Sequence, residues 1–437
     1  MRISVIGCGY LGAVHAAAMA KLGHEVIGID VDAEKVARLG AGDAPFYEPE
    51  LGDILADALG SGRLSFSTDP ADIAEATVHF ISVGTPQQRD GIAADLSYLN
   101  AAFESILPFL SPGDLVVGKS TVPVGTARVL AERLDRAARG VTLVWNPEFL
   151  REGFAVSDTI SPDRLVYGVP EGPAGERAVE LLNELYGSAV AAGTPVVTAN
   201  YETAELVKVA ANAFLATKIS FINAMAEIAE VTGADVTRLA DAIGYDDRIG
   251  RKFLNAGVGF GGGCLPKDIR AFTARAQELG RGESVAFLQE IDQINLRRRA
   301  RVVQLTRNAL GGSVVGRKIA VLGLAFKPQS DDVRDSPALD VAVQLHGLGA
   351  RVVATDPQAI ANSRRLHPQL EYEQDLDEVL NGADAVVLVT EWPVYRELDP
   401  ERVAALAGNP LIVDARNCLE PSKWRAAGWT YQGLGRS

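Results

Sequence analysis

The sequence predicts an α/β fold in which two doubly wound parallel sheets are joined by a central helical domain. Short apolar runs alternate with helix-length segments at the start of the chain and again towards its end, and this alternation is typical of parallel strands that helices cover on both faces. Between the two regions the strand runs stop, and apolar residues recur at helical spacing. We therefore predict three domains, at residues 1–200, 201–312 and 313–437.

The predicted strands of the first domain are its apolar runs at residues 3–7, 25–30, 78–86, 115–123, 142–150, 164–170 and 195–200. The middle domain opens with residues 201–232, which contain neither proline nor glycine and follow an amphipathic helical pattern. One glycine-rich segment, 255–268, interrupts the helices that follow. The third domain has apolar runs at residues 318–326, 351–357, 384–390 and 411–417.

Composition places the chain among folded, water-soluble proteins. Of its 437 residues, 47% are hydrophobic and 22% are charged, as in an average globular protein. The formal net charge is −14, so the field of the protein repels nucleic acid and anionic membrane surfaces, and we expect neither as a partner. The three cysteines are too few for a disulfide framework or a four-cysteine metal site. We therefore expect a reducing, cytoplasmic compartment and no metal.

A glycine motif directly follows the first predicted strand and precedes a helical run. Gly7, Gly9 and Gly12 form G-C-G-Y-L-G, a spacing that permits a tight turn, the approach of a pyrophosphate and close packing of the helix. Asp30 ends the second strand, where a carboxylate accepts ribose hydroxyls and repels a 2′-phosphate. The motif predicts a Rossmann-like domain that binds NAD rather than NADP, with Lys35 near the ribose. A glycine turn without a cofactor is the alternative.

Hydroxyl side chains stand at two later strand ends of the same sheet. Thr85 lies in the last residues of the run 78–86, and Ser120 lies in the last residues of the run 115–123. Ligands of such sheets lie at the carboxyl edge, so these hydroxyls can touch cofactor or substrate. Their alternative role is that of turn and N-cap residues.

Cys264 lies in the segment GVGFGGGCLPKD, directly after a run of glycines that allows the backbone to approach a ligand. Lys267 nearby favours the thiolate, which is the nucleophilic form. The alternative is a buried, inert cysteine. Lys208 and Asn212 share one face of the long predicted helix, where an amine and an amide can hold an oxyanion; a solvated stripe is the alternative.

Two acids, Glu148 and Glu152, flank residues 149–151 at the end of the predicted strand run 142–150. If a thioester forms on a nearby cysteine, a carboxylate can position or deprotonate the water that cleaves it. The alternative is that both residues are ordinary surface acids. In the third domain Lys327, Arg334 and Arg416 lie at strand ends, where cations bind phosphate groups.

The motifs GCGYLG, PFYEP, STVPVGT, NPEFLREG, GVGFGGGCLPKD and GLAFKPQSDDVRDSP, in this order and across nearly the whole chain, resemble the UDP-glucose/GDP-mannose dehydrogenase family. The resemblance implies that the chain oxidises the primary alcohol of a nucleotide sugar to a carboxylate with two NAD⁺. It also implies a homodimer or larger homo-oligomer built on the central helices.

Site residues follow from the resemblance, motif by motif. Cys264 would capture the aldehyde as a thiohemiacetal that becomes a thioester, and Lys208, Asn212 and Asp268 would polarise oxygen or water around it. Glu148 would serve hydrolysis, with Thr121 holding the water. The remaining implied cofactor contacts are Tyr10, Leu11, Thr85, Ser120, Thr121, Glu152, Lys267 and Arg334. The remaining implied substrate contacts are Phe149, Leu150, Arg151, Glu152, Phe253, Asn255, Gly261, Lys327, Arg416 and Arg248, the last of which would reach a neighbouring subunit's site.

Within the family, UDP-glucose is the expected substrate and UDP-glucuronate the expected product, because PFYEP and GVGFGGGCLPKD are similar to the subfamily that oxidises this sugar. The alternatives are a sister enzyme acting on GDP-mannose or a UDP-N-acetylhexosamine, and a non-catalytic protein that senses NAD or a nucleotide sugar.

Overall fold

A computed structural model describes residues 1–436; Ser437, the last residue of the predicted third domain, lies outside them. The described chain forms two compact units. The first comprises Met1–Ala211 with Gln277–Leu279, and the second comprises Asn212–Ala276 and the chain from Gly280 onward.

The strands of the first unit are β1 (Arg2–Ile6), β2 (Glu25–Ile29), β3 (Leu64–Ser67), β4 (Val78–Ile81), β5 (Leu115–Gly118), β6 (Thr142–Trp145), β7 (Leu165–Gly168) and β8 (Val196–Ala199). Its helices are α1 (Tyr10–Lys21), α2 (Ala33–Gly40), α3 (Leu51–Gly60), α4 (Ser97–Ile106), α5 (Thr126–Ala137), α6 (Ala155–Ile160), α7 (Pro173–Leu185) and α8 (Gly187–Ala191). The strands form one sheet in the order β3-β2-β1-β4-β5-β6-β7-β8. Apolar clusters cover both faces of this sheet, which is why β4 and β5 are buried along their whole length.

The predicted α/β class is confirmed, with one reversal of strand direction. β6 pairs with β7 in the antiparallel sense, whereas the other strand pairs of the described sheets are parallel. Because β7 runs back, the connection 146–164 begins and ends at the carboxyl edge of β6. The segment that carries the predicted site residues Glu148 and Glu152 therefore stays at the edge where ligands of such sheets bind.

The long helix α9 (Tyr201–Thr232) begins where the predicted strand pattern stops. It is long and apolar enough to cross a membrane by length and composition, with a mean hydropathy of 1.3 in its most apolar window, of which 44% is buried. A single helix of this kind is weak evidence for a membrane, because the core helix of a water-soluble protein passes the same test.

The remaining helices are α10 (Val236–Gly244), α11 (Leu265–Glu278), α12 (Phe287–Ala309), α13 (Pro337–Gly347), α14 (Ile360–Leu366), α15 (Leu376–Leu380), α16 (Pro393–Arg396), α17 (Pro400–Leu406) and α18 (Pro421–Ala426). The strands of the second unit are β9 (Lys318–Leu322), β10 (Arg351–Thr355), β11 (Glu371–Tyr372), β12 (Ala385–Leu388), β13 (Leu411–Asp414) and β14 (Thr430–Gly433). They form a parallel sheet in the order β11-β10-β9-β12-β13-β14. As in the first sheet, the strand order reverses direction beside the first strand of the series, which creates a crevice for a ligand.

Candidate active site

The glycine turn after β1 has the geometry of a dinucleotide cradle. Gly7 adopts φ +90°, in the region that favours glycine. A Cβ on Gly12 would lie 1.8 Å from the carbonyl oxygen of Gly7, so α1 packs directly on the turn. A Cβ on Gly9 would meet open space. Gly9 is also the N-cap of α1, and because it has no side chain, it makes no capping hydrogen bond to the first amides of the helix. The turn therefore presents a helix N-terminus and an unobstructed backbone, which suits a pyrophosphate.

Asp30 lies at the end of β2, as predicted for the residue that contacts the ribose. Its carboxylate accepts hydrogen bonds from the amides of Cys8, at 2.8 Å, and Asp32, at 3.0 Å. The ammonium of Lys35 lies 2.9 Å from the same carboxylate. The Cys8 amide, within the glycine turn, thus holds the Asp30 carboxylate beside the cradle. This donor and acceptor set fits the ribose and pyrophosphate of NAD.

Tyr10 and Leu11 open α1 directly beside the turn. The Tyr10 hydroxyl donates to the carboxylate of Glu48. Burial, followed by this hydrogen bond, raises the pKa of Tyr10 far above its usual value, so that the hydroxyl remains a donor. The same Glu48 carboxylate accepts the amides of Gly153, at 2.6 Å, and Ala155, at 2.7 Å. Glu48 therefore fastens the segment that follows Glu152 to the first turn of α1.

The hydroxyls predicted at the strand ends connect two loops of the carboxyl edge. Thr85 Oγ1 donates to the carbonyl oxygen of Thr121 at 2.7 Å, and Ser120 Oγ donates to that of Val83 at 2.6 Å. Both side chains are buried. Their O–H groups are thus engaged in tying the loop after β4 to the loop after β5, which fixes the backbone of Thr121 at the edge of the sheet.

Glu148 is held by a buried lysine. Its Oε2 lies 3.0 Å from Lys119 Nζ, and its Oε1 accepts the amides of Phe149, at 2.8 Å, and Leu150, at 3.0 Å. Burial alone would raise the pKa of the Glu148 carboxyl, but the charge and hydrogen bond of Lys119 and the two amides outweigh it and lower the pKa. Glu148 is therefore a carboxylate in a fixed orientation.

Lys119 belongs to a buried polar group that also includes Asn146 and Tyr186. Lys119 Nζ lies 3.1 Å from Asn146 Oδ1, which accepts the Tyr186 hydroxyl at 2.8 Å. These residues and His15 line a cavity of about 30 Å³ next to Glu148. Lys119 is not among the site residues predicted from the sequence. A lysine that ends the apolar strand LVVG has to be paired to be buried, and this signal was available in the sequence.

The structure brings Lys208 of α9 to the segment after β6. Lys208 Nζ lies 5.5 Å from the centroid of the Phe149 ring, and the guanidinium of Arg164 lies 3.9 Å from the same centroid. Arg151 pairs with Asp158 through Nη2, at 2.6 Å, and through Nε, at 2.9 Å. Lys208, Phe149 and Glu148 thus lie close together in the first unit, which brings an amine, an aromatic ring and a carboxylate to one place.

Cys264 is exposed and directly precedes α11. Its carbonyl oxygen accepts the amide of Asp268 at 2.9 Å, and a helix N-terminus favours negative charge at this position. The buried Asp268 carboxylate accepts Asn212 Nδ2 at 2.6 Å and pairs with Lys267 Nζ at 2.6 Å. The structure therefore gathers four predicted residues around the start of one helix: a thiol, an amide, a carboxylate and an ammonium group.

The predicted phosphate-binding cations have different surroundings in the second unit. The Arg416 guanidinium donates to the carbonyl oxygens of Val389, at 2.7 Å, Gly259, at 3.0 Å, and Phe326, at 3.0 Å. It therefore ties together the loops at the carboxyl edge of the second sheet. Arg334 is exposed and pairs with Asp332 at 2.7 Å. Lys327 Nζ lies 5.3 Å from the Phe326 ring centroid, within reach of the same edge.

The other predicted substrate residues lie in the loop before Cys264. Arg248 is 89% exposed and pairs with Asp246, so it projects from the unit. Phe253 has φ +65° and remains 41% exposed, a backbone conformation that is rare for a bulky side chain and typical of functional sites. Asn255 Oδ1 accepts from Arg251 at 2.8 Å. Gly261 approaches the 335 carbonyl so closely that a Cβ would lie 2.3 Å from it.

Comparisons with known proteins agree with this architecture along the whole chain. Three family models of the UDP-glucose/GDP-mannose dehydrogenase family match: the NAD binding domain at residues 1–190, the central domain at 202–297 and the UDP binding domain at 320–421. A UDP-glucose 6-dehydrogenase of Rhizobium meliloti is 43% identical over 440 residues, which cover 100% of both chains.

Two solved structures are similar over the full length. A UDP-glucose dehydrogenase from Pyrobaculum islandicum has a TM-score of 0.90 at 39% identity, with 100% of this chain and 98% of that chain covered. A UDP-D-ManNAc dehydrogenase from Pyrococcus horikoshii has a TM-score of 0.86 at 28% identity, with 100% and 99% covered. The match to the NAD binding domain and the geometry of the glycine turn agree that NAD is the cofactor. The chain belongs to the UDP-glucose/GDP-mannose dehydrogenase family.

Proposed function

We propose that this chain oxidises UDP-glucose to UDP-glucuronate and reduces two NAD⁺ for each sugar. The observation that carries the proposal is the full-length identity of 43% to a UDP-glucose 6-dehydrogenase, whereas the similar UDP-D-ManNAc dehydrogenase shares 28%. Cys264 supplies an exposed thiol, which a simple alcohol oxidation would not need.

NAD, when bound, accepts the hydride in each of the two oxidations. Lys208 and Asn212 stabilise negative charge on the sugar oxygen. Loss of the first hydride from the alcohol carbon and of the hydroxyl proton to water leaves an aldehyde. The Cys264 thiolate then forms a bond to the aldehyde carbon as the C=O π bond opens to an oxyanion, and loss of the second hydride from this adduct restores the C=O bond as a thioester. Water then adds to the thioester carbon, and the thiolate of Cys264 departs as the carboxylate product forms.

Glu148 serves the hydrolysis by orienting the water. Its carboxylate has a lowered pKa, which makes it a weak base, and Lys119 and two amides fix its direction. A weak base in a fixed position contributes more through geometry than through proton abstraction. Asp268, which accepts from both Asn212 and Lys267, holds the amide in the orientation that the oxyanion requires.

The decisive experiment measures NADH formed per UDP-glucose consumed by the purified chain, alongside GDP-mannose and two UDP-N-acetylhexosamines. We expect two NADH per UDP-glucose and little turnover of the other three sugars. Turnover of another sugar with none of UDP-glucose would contradict the substrate assignment. Cys264→Ser should bind NAD normally and form no net acid; unchanged activity of this variant would refute the covalent step.

We further propose a cytoplasmic homodimer built on α9. Phe214, Phe221 and Ile228 follow one another at seven-residue spacing and are 66%, 48% and 57% exposed, a stripe that a partner helix would cover. Light scattering after gel filtration should give twice the chain mass. Phe221→Glu should shift the protein towards the monomer, whereas a monomeric wild type at micromolar concentration would contradict the proposal.

A further inference from the structure

One amide side chain holds both polar groups of the Phe260 backbone, a short distance before Cys264. Asn295 Oδ1 accepts the Phe260 amide at 2.7 Å, and Asn295 Nδ2 donates to the Phe260 carbonyl at 2.9 Å. Asn295 lies on α12 and is fully buried. A single planar side chain that makes both bonds fixes the position and the orientation of the residue it grips.

The backbone of the loop around Phe260 allows the close approach of Asn295. Gly259 has φ +100°, and a Cβ there would lie 2.3 Å from Asn295 Oδ1. Glycine is therefore required both by the backbone conformation and by the approach of the asparagine. The loop has no helix or strand of its own between α10 and α11, so side chains from other elements have to position it.

A second side chain of α12 connects this segment to the loop after β9 of the same unit. Arg299 Nη2 lies 2.8 Å from Asp335 Oδ1 and contacts the carbonyl oxygens of Phe260, at 3.4 Å, and Asp335, at 3.3 Å. The Gly262 amide donates to the carbonyl of Arg334 at 2.9 Å. The segment before Cys264 is thus bounded by α12 on one side and by the loop after β9 on the other.

We propose that Asn295 is a positioning residue for the thiol of Cys264. By fixing the Phe260 backbone, it sets where the glycine segment 261–263 delivers Cys264 to the start of α11. The inference rests on the proposed function, because only a thiol that attacks a carbon needs its position fixed to within a fraction of an ångström. A role limited to stability would require the same hydrogen bonds but would leave the reactivity of the thiol unchanged.

The test compares the wild type with Asn295→Ala, Asn295→Asp and a control, Thr306→Val, in the full chain. Thr306 lies on the same helix, is fully buried and donates to the carbonyl of Val302 at 2.9 Å. The measurements are kcat and KM for UDP-glucose, the Kd of NAD, the melting temperature, and the rate at which iodoacetamide alkylates Cys264, with Cys264→Ser as the blank. Cys8 is buried and Cys418 is largely covered, which makes Cys264 the accessible thiol.

We expect Asn295→Ala to lower kcat about tenfold to 100-fold, the range that follows from a displacement of about 1 Å. KM and the Kd of NAD should stay within about threefold of the wild type, and the rate at which iodoacetamide alkylates Cys264 should fall together with kcat. Thr306→Val should lower the melting temperature and leave kcat and alkylation unchanged.

Asn295→Asp keeps the acceptor for the Phe260 amide and replaces the donor by a second acceptor. Protonation of the aspartate would restore the donor, so the kcat of this variant relative to the wild type should rise as the pH falls, while that of Asn295→Ala should not. This variant also carries the test if Asn295→Ala fails to fold.

A folded Asn295 variant with wild-type kcat and a wild-type alkylation rate would overturn the proposal. So would loss of kcat in proportion to melting temperature for both Asn295→Ala and Thr306→Val. A wild type without activity on any nucleotide sugar would instead refute the proposed function, and the alkylation rates would still report whether Asn295 positions the thiol.

Discussion

Replacing Glu48 by glutamine tests whether one buried carboxylate fixes the segment that carries the predicted hydrolytic residues. Glu48 is 6% exposed, and its two oxygens accept the amides of Gly153 and Ala155 and the hydroxyl of Tyr10. A glutamine amide has one acceptor end and one donor end. In Glu48→Gln at least one of the three donors therefore faces another donor.

The magnitude follows from these contacts. A buried backbone N–H without a partner costs about 1–3 kcal/mol, and the remaining bonds lose the extra strength of a charged acceptor, about 1 kcal/mol. We expect Glu48→Gln to lower the free energy of unfolding of the first unit by about 2–4 kcal/mol. For a unit of this size that corresponds to a fall in melting temperature of about 5–15 °C. Activity should fall as well, since Glu148 lies in the same segment.

Differential scanning calorimetry of the full chain, with and without NAD, measures the effect. Glu50→Gln is the matched control, because Glu50 is two residues away and exposed; it should change the free energy of unfolding by less than about 0.5 kcal/mol. If Glu48→Gln melts within about 1 °C of the wild type, the carboxylate does not hold the segment and the reasoning fails.

Three further predictions concern the first unit. Gly9→Ala should fold normally, because its Cβ meets open space, but it should weaken NAD binding by about tenfold or more in calorimetric titration. Gly12→Ala should instead lower the melting temperature of the protein, because its Cβ would lie 1.8 Å from the Gly7 carbonyl oxygen. Burial lowers the pKa of His15 well below its usual value, so below about pH 6.5 the unfolded chain binds a proton that the folded chain does not, and stability falls by about 1.4 kcal/mol per pH unit. Urea denaturation at two pH values should show that His15→Leu removes this component. Glu205→Gln should lower the free energy of unfolding, measured in a thermal melt, by about 1–3 kcal/mol. The reason is that the two Glu205 oxygens accept hydrogen bonds from the amides of Gly125 and Ala127.

The cofactor domain was predictable because its signals are local. The glycine spacing and Asp30 lie within one strand–helix–strand unit, and the turn they predict is present. Asp356, the matching acid of the second sheet, shows where such signals end. Its carboxylate accepts the amides of Leu324, Ala325, Gln358 and Ala359 and the indole of Trp392. An acid at the end of a second strand is thus a ligand contact or a structural clamp, depending on which donors the fold brings to it.

Strand direction and short strands were less predictable. The run at 164–170 does contain β7, but nothing in its composition distinguishes a parallel from an antiparallel partner. The prediction missed β3, β11 and β14, since strands such as LSFS and TYQG are too short to display an alternating pattern. The burial of Lys119 could have been inferred from its position after an apolar strand, but its partners could not: Asn146 and Tyr186 come from separate segments, and only the fold brings them to the lysine.

The sequence predicts which loops lie at the carboxyl edge of the first sheet, but it does not predict what holds them in place. The reason is that the helices after these loops are capped by residues distant in the sequence. The helix α5 starts after Gly125 and α6 starts after Phe154, and neither N-cap supplies a side-chain hydrogen bond. Their first amides are satisfied instead by Glu205, about 80 residues away, and by Glu48, more than 100 residues away. A local capping rule finds neither acid. Because each acid belongs to a different element, the two loops are fixed relative to α9 and to the segment before α3, and not merely to their own helices. The loops that bear Thr121 and Glu148 are thereby held in place, although they have no regular structure of their own, and this rigidity is what the proposed hydrolysis requires.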